Sequence, residues 1–161
     1  MNDLEVNYKK ARDAGTTVRG IIIINLGNPT GQVMTKQNME DIAKFCHKNS
    51  LVILADEVYQ KNTYREISFK AIIKSLLSPY NQVELIYFHS TSKDIVGECG
   101  GYMELENIDP FVSDQIIKLL FMSVKIRNIS LHSNAVGQVM KELIMNPFKA
   151  GMNSPEVVEN I

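Results

Sequence analysis

The chain has 161 residues, 45% of them hydrophobic and 22% charged, a balance far from that of disordered sequences and sufficient for one ordinary core. With 17 basic and 18 acidic residues the net charge is -1, which excludes a large basic footprint for nucleic acid. Cys46 and Cys99 lack CxxC spacing and clustered histidines, so no metal site is expected and a reducing compartment with two free thiols is the default.

The amino terminus, Met1-Asn2-Asp3-Leu4-Glu5, has neither a basic flank nor an apolar signal core. The apolar run Ile21 to Ile24 is far too short to span a bilayer, so the chain reads as soluble and cytoplasmic, with no membrane partner. Residues 4–14 predict a short helix. Thr17 to Leu26 then carries a continuous β-branched run, and Ile21 to Leu26 reads as a strand covered on both faces. Gly27 to Gly31 is a turn. Thr35 can cap a helix whose apolar residues Met39, Ile42, Ala43 and Cys46 follow the i, i+3, i+4, i+7 rule.

Leu51 to Ala55 predicts a second strand. Behind a Ser68 cap, Phe69, Ile72, Ile73 and Leu76 repeat the helical spacing. Val83 to Phe88 predicts a third strand and Gly101 to Leu105 a fourth. Asp109-Pro110 starts a helix running to about Ser123, with Pro in the first turn, where its missing N–H costs little. Val136, Val139, Met140 and Leu143 mark a further helix ending near Asn146-Pro147. The domain spans 1–146, and 147–161 is a loose carboxy-terminal tail. Alternation of strand and helix with connections of this length makes the class α/β, a mainly parallel sheet with flanking helices.

Three polar clusters follow the first three strands: Asn28-Pro29-Thr30-Gly31, Asp56-Glu57-Val58-Tyr59 and Ser90-Thr91-Ser92-Lys93. They would share the carboxyl edge of one sheet, where open α/β sheets bind ligands. Their residue types suit pyridoxal 5'-phosphate. A lysine amine holds that cofactor as a Schiff base, which makes Lys93 the candidate for attachment and for acid/base work. Asp56, at a strand end, suits pairing with the ring nitrogen, Tyr59 and Asn28 suit the ring hydroxyl, and Ser90 and Ser92 suit the phosphate.

Taken singly these residues have plainer explanations. Asn28-Pro29-Thr30-Gly31 is a good turn in its own right, Asp56-Glu57 is a solvated strand end, and a lone lysine is usually a surface residue. Their conjunction points to a cofactor. His47, His89 and His132 have no second ligand or base at a matching spacing, and Cys46 belongs to an apolar stripe. No GxGxxG or Walker loop supports a nucleotide-binding alternative.

The segments Ile23 to Gln32, Leu54 to Gln60 and Phe88 to Lys93, with Gly97-Glu98-Cys99-Gly100 and Met145-Asn146-Pro147, resemble the alanine aminotransferase branch of the aspartate aminotransferase family of pyridoxal phosphate enzymes. The resemblance runs from about Leu4 to about Asn153. It implies Lys93 as the Schiff-base lysine, Asp56 as the pyridine partner, Tyr59 and Asn28 as ring-hydroxyl contacts, Ser90 as a phosphate contact and a cis bond at Asn28-Pro29. It also implies amino transfer between L-alanine and 2-oxoglutarate and small amino-acid and 2-oxo-acid partners; the exposed edge left by half a sheet would allow a homodimer.

The chain departs from the family where an arginine should follow the lysine, since it runs Gly100-Gly101-Tyr102 there. The resemblance covers only the later half of the family's large domain, without the earlier phosphate turn and stacking ring or the later arginine for the substrate carboxylate. The expectation is therefore a truncated or fragmentary aminotransferase, weak or inactive alone; the alternative is a non-catalytic relic acting as a binding or dimerising module.

Overall fold

A computed structural model describes residues 1–60, 68–90 and 101–126. Its one sheet has the order β1 (Gly20–Ile24), β2 (Val52–Asp56), β3 (Leu85–Ser90), β4 (Gly101–Glu106). β1, β2 and β3 run parallel, and β4 pairs antiparallel to β3. The helices are α1 (Asn2–Asp13), α2 (Lys36–Asn49), α3 (Phe69–Ser75) and α4 (Pro110–Ile126).

Local chemistry places the helix ends. The Thr35 hydroxyl accepts from the Asn38 N–H at 3.2 Å and the Ser68 hydroxyl from the Ala71 N–H at 3.1 Å, so both predicted caps hold. Asp109 Oδ1 accepts from Phe111 and Val112 N–H groups at the start of α4. That helix is described to Ile126, three residues past the predicted end, and no glycine or proline intervenes.

The core lies on one side of the sheet. Met39, Ile42, Ala43, Phe45 and Cys46 of α2 and Phe69, Ile72 and Ile73 of α3 pack with Ile23, Ile53, Ala55, Leu85 and Tyr87. α1 adds Leu4 and Tyr8 to its edge, the Tyr8 ring meeting Phe45 edge-on at 5.4 Å. Burial pushes the Cys46 thiol up to about 12, so it behaves as an inert core group. Cys99 and the helix expected at 136–143 fall outside the described residues, as does the tail at 147–161.

Two strand expectations need correction. β1 ends at Ile24, although the Asn25 N–H still bonds to the Asp56 carbonyl and its side chain anchors the following loop, whereas β2 and β3 extend by one and two residues to Asp56 and Ser90. β1 is also not covered on both faces: among the described residues it is the edge strand, and Ile22 is 71% and Ile24 48% exposed. In register these residues share a face with Leu54 and Ile86, and with Asp56 and Phe88. This is the open face, opposite α2 and α3.

Candidate functional site

Parallel pairing brings the ends of β1, β2 and β3 to one edge, with Ile24, Asp56 and Phe88 side by side. Each polar cluster leaves the sheet from there. After β1, the Gly27 N–H bonds to the Gln32 carbonyl at 3.0 Å and the Gly31 N–H to the Gly27 carbonyl at 2.7 Å, closing the predicted turn. Gly31 sits at φ +67°, where a side chain would strain the backbone. The Asn28–Pro29 peptide is cis.

The turn presents Asn28 to the loop that follows β2. Its side-chain amide donates to the Tyr59 hydroxyl at 3.1 Å across 31 residues of chain. Asp56, half-buried, ends β2 on the open face, and its Oδ1 lies 3.4 Å from the Val58 N–H. The Gln60 N–H returns to the Glu57 carbonyl at 3.0 Å, and the Tyr87 hydroxyl donates to Gln60 Oε1 at 2.8 Å. Asn28, Asp56 and Tyr59 are thus brought together.

Ser90 closes β3 at the same edge and on the same face as Asp56, in a half-buried position. Ser92 and Lys93 lie outside the described residues. Among the described residues no group of His, Cys, Asp and Glu could hold a metal ion.

Sequence reasoning passed over two polar residues at this edge. Asn25 and Glu57 are buried, and both stand directly behind the cluster. The Asn25 N–H donates to the Asp56 carbonyl at 3.0 Å, and its Oδ1 accepts from the Met34 N–H at 2.9 Å. Glu57 Oε1 accepts from the Phe69 N–H at 3.0 Å. Desolvation raises the Glu57 carboxyl to about 7, against the lowering influence of the Phe69 N–H and the Asn25 amide. The available signal was strand alternation: counting by two from Ile53 and Ala55 puts Glu57 on the covered side.

An amide, a carboxylate and a phenol follow the ends of β1 and β2 in an α/β domain, at the carboxyl edge where open sheets of this class bind ligands. The chain belongs to the aminotransferase class I and II family, whose profile matches residues 1–118. It is 41% identical, over 98% of its length, to a probable mitochondrial alanine aminotransferase from Dictyostelium discoideum. A glutamate–glyoxylate aminotransferase from Arabidopsis thaliana is 40% identical over 92% of the chain. Among solved structures, an Escherichia coli aminotransferase superposes with a TM-score of 0.55 at 29% identity, covering 73% of this chain and 29% of that one. The chain spans about 30% of the length of the curated relatives it matches.

Proposed function

We propose that this chain is the cofactor-gripping part of a pyridoxal phosphate-dependent transaminase acting on L-alanine and 2-oxoglutarate. The observation that carries the reading is the Asn28–Tyr59 hydrogen bond at the sheet edge where Asp56 ends β2 and Ser90 ends β3. The donor set suits the cofactor: an amide and a phenol for a ring oxygen, a carboxylate for a ring nitrogen and a hydroxyl for a phosphate. Bound there, pyridoxal phosphate supplies an electron sink for the carbanion formed at a substrate carbon.

In this reading Asp56 holds a proton at the ring nitrogen, and Asn28 with Tyr59 orients the ring. Ser90 and Ser92 meet the phosphate. Lys93 would hold the cofactor covalently and would move a proton at the reacting carbon. Alanine is favoured as amino donor by the similarity to alanine aminotransferases, although a glutamate–glyoxylate relative is nearly as similar. The compartment proposed is the cytoplasm, and two copies are proposed to pair through the exposed β1 edge.

The isolated chain is expected to bind cofactor weakly and to show no exchange above a Lys93→Ala control. Charge-assisted phosphate contacts of the kind an arginine makes contribute about 1.5–3 kcal/mol each, and Gly100-Gly101-Tyr102 supplies none. The test is a titration with pyridoxal phosphate, reading the visible absorbance that borohydride removes and mapping the reduced label. Label on Lys93, lost in Lys93→Ala, supports the reading; absorbance unchanged by that substitution overturns it. Cofactor binding without exchange, even when a chain carrying the remaining family segments is added, favours the relic.

A further inference from the structure

The peptide joining Asp56 to Glu57 is clamped from both neighbouring strands. Its carbonyl accepts from the Asn25 N–H at 3.0 Å, and its N–H donates to the Phe88 carbonyl at 3.1 Å. The two side chains then part. Asp56 stands half-buried on the open face, whereas Glu57 turns to the covered face and is fully buried. There its Oε1 accepts from the N–H of Phe69, the first residue of α3, and Asn25 contributes its amide beside the same carboxyl. Glu57 Oε2 is buried without a hydrogen-bond partner.

A carboxyl in such a place is costly, and an apolar side chain of similar volume would pack there without that cost. What it does in return is mechanical. We propose that Glu57 is a positioning residue: from the covered side of the sheet it ties the Asp56–Gln60 turn to α3 and so fixes where Asp56 and Tyr59 stand on the open side. The functional meaning rests on the cofactor reading of Asn28, Asp56 and Tyr59, but the tie itself does not.

The surroundings give the tie a pH dependence. Facing the carboxyl are Asn25 from the end of β1, Phe69 from α3 and Tyr87 from β3, whose phenol is itself pushed up, mainly by burial. Lys70, next along α3, is engaged by Glu104 and Glu106 of β4. On the same covered face His89 of β3 stands one register step beyond the Asp56–Phe88 pair, level with Glu57. With the carboxyl raised to about 7, the neutral acid holds the turn in acid solution and gives way to the carboxylate around neutrality. Ionisation above that point places a charge in the covered layer and changes the bond to the Phe69 N–H, which a carboxylate accepts more strongly than the neutral acid does.

The test is NMR on the whole cofactor-free chain, following the Phe69 backbone amide, the Asn28 side-chain amide and the Tyr59 ring from about pH 5 to about 9. In the native chain the three sets of signals should move together with a midpoint near 7. Glu57→Gln keeps an acceptor for the Phe69 N–H but cannot ionise, so it should flatten that titration and leave the signals at their acid positions. Glu57→Leu should displace the Asn28 and Tyr59 signals at every pH. Asn28 and Tyr59 signals that ignore both pH and the Gln substitution would overturn the proposal, as would a Glu57 midpoint near 4.5. If Glu57→Leu does not fold, the native titration and the Gln variant still decide. Pyridoxal phosphate absorbance measured alongside separates the two readings: absent cofactor binding with an intact titration removes the cofactor reading and leaves the tie.

Discussion

The side-chain amide of Asn28 and the hydroxyl of Tyr59 meet at 3.1 Å, joining the turn after β1 to the turn after β2. Both residues follow the strand ends at the sheet edge where Asp56 ends β2. The bond is exposed, so its net contribution to stability is small, about 1 kcal/mol or less. Its importance is orientation.

Tyr59→Phe therefore separates stability from binding. Unfolding in urea should change by no more than about 1 kcal/mol, because the ring stays and only a solvent-reachable hydroxyl is lost. Affinity for pyridoxal phosphate should fall by about 5- to 10-fold, the equivalent of one hydrogen bond. A titration of the variant against the native chain checks both expectations, and an unchanged affinity would remove Tyr59 from the site.

Glu57 makes folding stability depend on pH in a defined direction. Its folded-state value is raised from 4.5 to about 7, so its contribution is intact below about pH 4.5, where the acid is neutral in both states. Between these values the unfolded chain alone gives up the proton, and stability falls until the loss is complete above about 7. At 1.36 kcal/mol per unit the total loss is about 3 kcal/mol. Glu106, whose carboxyl is held below its ordinary value by Lys74 and Lys70 against desolvation, runs the other way and must be subtracted. Urea unfolding of the native chain and Glu57→Gln at several pH values isolates the difference, which should grow from acid to neutral solution.

Phe69 supplies the largest side chain among those fully buried, and its backbone N–H is the one that Glu57 holds. Phe69→Ala leaves that N–H in place and removes only the ring. The cost should be about 3–5 kcal/mol in urea unfolding, the usual range for emptying an aromatic site in a core. A loss below about 1 kcal/mol would mean that α3 does not pack on the sheet as described.

β1 offers a run of isoleucines on an edge strand, with Ile22 71% exposed on the open face. Such an edge invites pairing with another chain. Ile22→Lys should reduce self-association in sedimentation while changing stability by no more than about 0.5 kcal/mol, since the native side chain is already mostly in water. Association unaffected by the lysine would place the contact elsewhere.

What the sequence determined by itself is local in origin. The apolar stripe of α2 follows from helical spacing, the Thr35 and Ser68 caps from side chains reaching N–H groups three residues away, and the turn after β1 from its proline and glycine. The three polar clusters were legible for the same reason, each being a short segment behind a recognisable strand. Tertiary structure alone decided that β1 is an edge, that β4 runs antiparallel, and that Asn28 meets Tyr59 across 31 residues. It also turned Glu57, which reads as a solvated strand end, into a fully buried carboxyl bonded to a helix twelve residues on. Strand neighbours and helix docking depend on contacts between distant segments, and the periodicity of one segment carries no information about which other segment will cover it.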